Sequence, residues 1–167
     1  MRRTLIIAVA LNLTFGGLTI AQDKATPGEV IAKVREAASE LAKTGNVDPF
    51  KQKQSPWVWK NTYVFVQDCD KKVTAANPMF PNDVGRDLAS VKSPGGKQVY
   101  PNPTAFCDAA RNPSGTWIEY LWPKPGEKQG SRKISYFLGA KGTPYVVGAG
   151  IYDDNATIKQ LTAMSSK

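Results

Sequence analysis

A long amphipathic pattern begins shortly after residue 25. Apolar residues recur there at the spacing of one helix face, with charged residues between them. Residues 26–29, Thr-Pro-Gly-Glu, have the sequence of a capping box with proline at the first helical position, and Gly45 is a typical helix end. We therefore predict an amphipathic helix of about five turns. Its buried stripe is expected to consist of Val30, Ile31, Val34, Ala37, Ala38 and Leu41.

After Pro56 the pattern changes to short segments of β-branched and aromatic residues, which are typical of strands. Residues 57–59 and 63–66 form the first such segments, and residues 73–76 begin a return strand. The polar residues 68–72 between them predict a hairpin turn. This part of the chain is therefore expected to be sheet.

A segment rich in Pro, Gly and Asp follows these strands. Residues 77–100 predict a long ordered loop with one helical turn around residues 85–88. Asn102-Pro103 then predicts the start of a short helix that continues to Arg111 and carries Cys107.

Three further strands are predicted at residues 115–122, 132–138 and 145–152. Asp153-Asp154 can cap a final helix with a short apolar stripe. That stripe is expected to contain Ile158, Leu161 and Met164. In the first of the three strands, one face is expected to carry Ile118, Tyr120 and Trp122, and the other Trp117, Glu119 and Leu121.

The order of these elements is helix, two strands, loop and helix, three strands, helix. Short turns between neighbouring strands favour antiparallel pairing. We therefore predict an α+β domain in which an antiparallel sheet carries helices on one side.

The composition excludes several kinds of catalytic and metal-binding site. The chain has 167 residues, 41% of them hydrophobic, with two cysteines and no histidine. One domain with a substantial core is expected. The counts exclude Ser-His-Asp and Cys-His relays, His-ligated metals, four-thiolate zinc and iron–sulfur clusters. We expect no catalytic residues, no metal and no cofactor.

The net charge of +8 comes from basic residues that are interleaved with acidic ones, without a run of five or six. This arrangement is typical of a solvated surface, so we expect no nucleic-acid partner.

Residues 1–21 have the sequence of a signal peptide. Arg2 and Arg3 precede an uncharged stretch with an apolar centre, and small residues stand at the −3 and −1 positions before Gln22. The alternative is an uncleaved membrane anchor, because 18 uncharged residues reach the lower limit for spanning a bilayer. We favour cleavage after Ala21, which lowers the charge to +6, leaves residues 22–167 as one domain, and predicts a periplasmic or secreted protein.

Export changes the interpretation of the cysteines. In an oxidising compartment Cys69 and Cys107 are the one possible intramolecular pair, and a disulfide between them would stabilise the fold by up to ~4 kcal/mol. A reactive thiol is the less favoured alternative, because neither cysteine lies in a Cys-x-x-Cys motif or beside a base.

Three other motifs have simpler explanations than catalysis or metal binding. Gly148-x-Gly150 lacks the third glycine of a dinucleotide loop and is better explained by close packing in a strand. Asp68-x-Asp70 lacks the remaining ligands of a calcium loop and is better explained as a turn. Asp153-Asp154 is better explained as a helix cap than as a catalytic carboxylate pair.

One group of aromatic and basic residues lies on two adjacent predicted strands or on their connecting turn. An ammonium group between aromatic walls would hold a small carboxylate, and ordinary core packing is the alternative. Strand alternation separates Lys133 from Tyr136, so at least one of them points away from any common cavity. The candidate ligand-binding residues are Tyr120, Trp122, Lys124, Lys133 and Tyr136.

The chain resembles the single-Cache family of extracytoplasmic sensor domains. The resemblance covers roughly residues 27–154 and rests on several motifs in the right order. These are Trp59-Lys-Asn-Thr-Tyr-Val-Phe-Val-Gln-Asp68, Gly85-Arg-Asp-Leu88, Trp117-Ile-Glu-Tyr-Leu-Trp-Pro-Lys-Pro-Gly126, Ser131-Arg-Lys-Ile-Ser-Tyr136 and Val146-Val-Gly-Ala-Gly-Ile-Tyr-Asp-Asp154.

The resemblance implies a PAS-like antiparallel sheet of five to six strands, a long N-terminal helix packed on it, and a short C-terminal helix. It implies a pocket between the sheet and residues 77–111 for a small organic molecule, often a short carboxylate. By position, Lys133 and Lys124 would bind the ligand carboxylate, Tyr120 and Tyr136 would make hydroxyl contacts, and Trp122 would form the wall. The residues expected in the core or against the helix are Trp57, Trp59, Trp117, Val64, Val66 and Val147.

Family members pass their signal through membrane helices to chemotaxis or kinase modules. This chain ends at Lys167 without an output domain, so we expect a free-standing sensor that signals through a membrane receptor or kinase partner. It would contact the membrane itself only if the signal segment were retained. The alternative is a ligand-independent adaptor that keeps the fold, and an enzyme is the least favoured possibility.

Overall fold

The computed structural model describes residues 23–92, 104–109 and 111–166. The predicted signal segment and the predicted cap at Asn102-Pro103 lie outside these ranges. The helices are α1 (Pro27–Thr44), α2 (Ala105–Ala109) and α3 (Ile158–Ser165). The strands are β1 (Val58–Trp59), β2 (Thr62–Tyr63), β3 (Phe65–Asp68), β4 (Val73–Ala76), β5 (Thr116–Pro123), β6 (Gly130–Gly139) and β7 (Tyr145–Ile151).

Helix α1 begins and ends where its sequence predicts. The Thr26 side chain accepts a hydrogen bond from the Glu29 backbone, and the Glu29 carboxylate accepts one from the Thr26 backbone. Gly45 ends the helix in the left-handed conformation, with φ of 62°. All six residues of the predicted apolar stripe are buried.

The main sheet is antiparallel and has five strands in the order β4-β3-β7-β6-β5. This confirms the predicted α+β class. The prediction that residues 57–59 belong to the main sheet is wrong in part. Val58 and Trp59 do form a strand, but they pair with Tyr63 and Thr62 in a separate two-stranded ribbon. Lys60, with φ of 48°, turns the chain between the two short strands.

One face of the sheet packs against α1 and α3. The strand residues Val66, Ile134 and Tyr136 meet the helices there in one apolar cluster, together with Val64 between β2 and β3. Trp57, Trp117 and Val147 belong to the same cluster and Trp59 packs against it, which confirms their prediction as core residues.

The opposite face of the sheet, here called the cavity face, is covered by residues 77–92 and 104–109, here called the covering segment. Leu88, Val91 and Phe106 from this covering segment pack on the aromatic residues of the sheet. The Cys69–Cys107 disulfide joins α2 to the turn after β3, with 5.7 Å between the Cα atoms. Because α2 lies on this face, the prediction that the helices lie on one side is wrong for α2.

Two local predictions need correction. Helix α3 is capped by Thr157 and not by Asp153-Asp154, because Thr157 and Gln160 form a capping box and Asp153 caps a turn at Asn155 instead. Met164 is 46% exposed, while Leu161 is buried. The helical turn predicted around residues 85–88 lies later, at Leu88–Ser90, where the Asp87 side chain accepts from the Ala89 backbone.

Candidate functional site

Strand alternation brings polar and aromatic side chains together on the cavity face. On β6, Lys133, Ser135 and Phe137 point to this face, while Ile134 and Tyr136 point to α1. In β2 and β3, every second residue points toward the same cavity, namely Tyr63, Phe65 and Gln67. A small, partly open cavity lies between these residues and the covering segment. It is lined by Tyr63, Phe65, Gln67, Thr74, Asn77, Asp83, Leu88, Val91, Tyr120, Trp122 and Lys133.

Lys133 is the unusual residue of this cavity. Its side chain is fully buried, and its Nζ has no hydrogen-bond partner among the described residues. The Nζ lies 4.3 Å from the ring centroid of Tyr63, 5.3 Å from that of Phe65 and 5.2 Å from that of Tyr152. Burial lowers the pKa of Lys133 to about 7. Ring faces stabilise a cation only in part, so a buried ammonium group here strongly favours an anionic partner.

Hydrogen bonds hold the aromatic residues around Lys133 in place. The Tyr120 hydroxyl lies 2.8 Å from Ser135 Oγ, and the Trp122 indole N–H donates to the Tyr63 hydroxyl at 2.8 Å. Burial raises the pKa of Tyr152, so its hydroxyl stays neutral and donates to the Pro123 carbonyl at 2.6 Å. The polar ends of these side chains are therefore already hydrogen-bonded in the ligand-free protein.

The covering segment supplies the polar groups on the other side of the cavity. Asp83 is paired with Arg86 at 3.0 Å, which leaves no net charge from this pair. Asn77 accepts hydrogen bonds from the Met79 and Phe80 backbones and so shapes the start of the segment. Gln67 of β3 differs from these residues, because its Oε1 is buried without a hydrogen-bond partner among the described residues.

The cavity is small. The centre of a water-sized sphere can occupy about 10 Å³ within it, roughly the minimum for one water molecule. A bound acid must therefore be small, and the side chains around it must spread to admit it. Two wider depressions of about 920 Å³ and 440 Å³ open on the surface. The cavity remains the better candidate because it holds a buried lysine amine that has no hydrogen-bond partner among the described residues.

Three of the five predicted ligand-binding residues line this cavity, namely Tyr120, Trp122 and Lys133. Tyr136 lies on the opposite face, where its ring packs on Trp117 and its hydroxyl donates to the Ser114 carbonyl. Lys124 lies in the 440 Å³ surface depression, 3.9 Å from Glu127. We do not include Tyr136 and Lys124 in the site proposed below.

Sequence reasoning missed the contribution of β2 and β3. The alternation Tyr63-x-Phe65-x-Gln67 is a signal that could have identified these three residues as neighbours on one sheet face. Asp83, Leu88 and Val91 carry no comparable signal, because their position depends on how an irregular segment folds over the sheet.

Within residues 23–92, 104–109 and 111–166, no group of three or more Cys, Asp or Glu side chains is placed to hold a metal ion. The same ranges contain no helix with the length and apolar character needed to cross a membrane.

Comparison with known proteins identifies the family and the fold of the chain. The family model described as "Cache domain" matches residues 54–157. The periplasmic sensor domain of a chemotaxis protein has the same fold, with a TM-score of 0.54 and 24% identity over 76% of this chain and 90% of that chain. A Cache chemosensory domain solved as a structural basis for carboxylic acid recognition has a TM-score of 0.54 and 20% identity, covering 76% of this chain and 88% of that chain.

A curated chemotaxis receptor matches part of this chain. The methyl-accepting chemotaxis protein McpP of Pseudomonas putida is 29% identical over 93 residues, which is 56% of this chain and 16% of the relative. The matched region thus spans about a sixth of the length of that receptor.

Proposed function

Because this chain belongs to the Cache domain family of extracytoplasmic ligand-binding sensors, we propose that it is a periplasmic binding module for a small organic acid. The observation that carries the proposal is Lys133, a fully buried ammonium group without a hydrogen-bond partner among the described residues, enclosed by aromatic rings. A carboxylate placed beside it would satisfy the Nζ and replace the lost hydration by a charge-assisted hydrogen bond.

Each residue of the cavity wall has a proposed role in binding the acid. Lys133 binds the ligand carboxylate, and Tyr120 lies near it with a hydroxyl already oriented by Ser135. Trp122 and Phe65 form apolar walls that select a short carbon chain and exclude water, which strengthens the charge interaction. The related Cache domain whose structure concerns carboxylic acid recognition supports this choice of ligand class.

The proposal is tested by thermal shift and calorimetry with acetate, propionate, butyrate and lactate. An acid at 100 times its dissociation constant should stabilise the protein by about 2.7 kcal/mol. Lys133→Met should weaken binding at least about a hundredfold, because a charged hydrogen-bond partner is lost in a desolvated site. The control is Lys124→Met, since Lys124 lies in a surface depression, and it should leave the affinity within about twofold.

Failure of every acid to bind the wild type would contradict the proposal. Capture of a membrane receptor by the ligand-free protein, together with that failure, would favour the adaptor function instead.

The proposed location has a separate test. Cleavage after Ala21 should give a periplasmic protein that begins at Gln22, as measured by intact mass after osmotic release from a bacterial host. A full-length chain that remains with the membrane fraction would show that the signal segment is an anchor. We further propose that the ligand-bound domain signals through a membrane receptor or kinase.

A further inference from the structure

A second unpaired polar group lies in the same cavity as Lys133. Gln67 is 4% exposed, and its Oε1 has no hydrogen-bond partner among the described residues. A buried amide oxygen without a partner lowers stability, and a ligand that donates a hydrogen bond to it would recover that loss. The cavity thus presents two unsatisfied groups to a ligand.

These two side chains start from positions far apart along the sheet, because Gln67 lies opposite Val146 of β7, which lies opposite Gly139 of β6, six residues from Lys133. The Lys133 Nζ lies over the rings of Tyr63 and Phe65. Gln67 follows Phe65 by two residues on the same strand, so its Cα lies roughly 7 Å further along the sheet. A ligand that satisfies both groups therefore needs its second polar group at the end remote from its carboxylate.

The charges around Gln67 favour an uncharged second group. Lys133 supplies one buried positive charge, which one carboxylate balances. Asp83, the acidic residue that lines the cavity, is already paired with Arg86 at 3.0 Å. An ammonium group on the ligand would thus have no unpaired carboxylate among the described lining residues, and a second carboxylate would have no second unpaired cation among them.

A hydroxyl group fits the amide in either orientation. It can donate to Oε1 and accept from Nε2, so it satisfies Gln67 whichever way the amide is turned. From these observations we propose that the ligand is a short hydroxy acid whose hydroxyl group, remote from the carboxylate, hydrogen-bonds to Gln67. This inference rests on the proposed binding of a carboxylate by Lys133 and narrows its ligand class.

The experiment compares butyrate with 4-hydroxybutyrate, a pair that differs by one terminal hydroxyl group. Calorimetry on the wild-type protein should show 4-hydroxybutyrate binding about tenfold more tightly, because butyrate leaves the Gln67 amide unpaired. In Gln67→Met, which keeps the side-chain length without hydrogen-bonding capacity, the two affinities should agree within about threefold. The control is Gln54→Met on the exposed surface, which should keep the tenfold preference.

The possible results separate this inference from the one it rests on. Equal binding of both acids to the wild type, or tighter binding of butyrate, would overturn the hydroxy-acid assignment while leaving acid binding intact. A preference that survives in folded Gln67→Met would also overturn it. If neither acid binds the wild type, the hydroxy-acid assignment is overturned, and acid binding by Lys133 is overturned with it only when acetate, propionate and lactate also fail to bind. If Gln67→Met does not fold, the structure of the wild type with 4-hydroxybutyrate decides, because the hydroxyl oxygen must lie within hydrogen-bond distance of the Gln67 amide.

Discussion

The two faces of the sheet are built from the same strands and differ in what they leave unsatisfied. On β6, Ile134 and Tyr136 enter the cluster beneath α1, where the Tyr136 hydroxyl is hydrogen-bonded. Their neighbours Lys133 and Phe137 enter the cavity face, where the Lys133 Nζ has no partner among the described residues. The helix-packed side also leaves polar atoms without a partner among the described residues, namely the indole Nε1 atoms of Trp59 and Trp117, but these lie within or against an apolar cluster. On the cavity face the unsatisfied groups are the Lys133 Nζ and the Gln67 Oε1, which line a cavity, so a ligand can recover the stability that they cost.

The largest expected effect is a loss of stability on the helix-packed face without a loss of binding. Leu41 is fully buried under the sheet, so Leu41→Ala should lower the free energy of unfolding by about 2–5 kcal/mol through lost burial and a cavity. Urea denaturation measures this change, and calorimetry on the folded variant should give an unchanged affinity. Leu121→Ala is the control, since Leu121 is 45% exposed. A parallel loss of affinity in Leu41→Ala would show that the two faces are not separable.

On the cavity face, a substitution is expected to raise the free energy of unfolding instead of lowering it. Lys133→Met should raise the stability of the ligand-free protein at pH 7 by about 1–3 kcal/mol, because an unpaired buried amine is removed. The pKa of Lys133 is about 7 in the folded protein, against an ordinary value of 10.5. The unfolded chain thus binds the proton more tightly, and wild-type stability should rise as pH increases from about 7 to 10.5.

Urea denaturation at several pH values tests this prediction. The pH-dependent rise should be smaller in Lys133→Met than in the wild type. A variant that is less stable than the wild type at every pH would mean that Lys133 already has a favourable partner in the ligand-free protein.

Acid binding should depend on pH in the same range. A carboxylate binds the charged form of Lys133, and above about pH 7 the free protein must take up a proton to bind it. The affinity should therefore fall by up to about tenfold per pH unit above 7. Calorimetry in buffers of different ionisation enthalpy should show proton uptake of up to one per ligand at pH 8. An affinity that stays constant from pH 6 to 9 would contradict the assignment of Lys133.

The smallest effect is expected for Tyr136→Phe. This variant removes the hydrogen bond to the Ser114 carbonyl, at 2.6 Å, from the helix-packed side. Stability should fall by about 1 kcal/mol, and the affinity for the acid should not change. A clear loss of affinity in the folded variant would return Tyr136 to the binding site, as its position in the sequence motif first indicated.

The elements predicted correctly from the sequence are those that local periodicity and helix capping determine. The α1 stripe and its ends follow from apolar spacing and from Thr26 and Gly45, and the pairing of Cys69 with Cys107 follows from their number. The alternation in β5 correctly placed Tyr120 and Trp122 on one face. The start of α3 was missed because Asp153 and Thr157 are both good caps, and only the three-residue spacing from Thr157 to Gln160 distinguishes them.

The rest of the site depends on contacts between distant parts of the chain. Lys124 and Lys133 look equivalent in the sequence, yet one lies in a surface turn and the other under the covering segment. The burial of Lys133 results from Tyr63, Phe65 and Tyr152 closing over it, and two of these residues come from strands far away in the chain. No local pattern encodes that environment.

The Cys69–Cys107 disulfide has a consequence for the thermodynamics of recognition. It ties α2 to the end of β3 across 38 residues of sequence, so part of the conformational entropy of the covering segment is lost during folding and not upon binding. In the reduced protein the ligand would have to order the segment itself, and its apparent affinity would fall accordingly. Preorganisation of the cavity is thus tied to the redox potential of the compartment, and the domain should recognise its acid most tightly where thiols are oxidised.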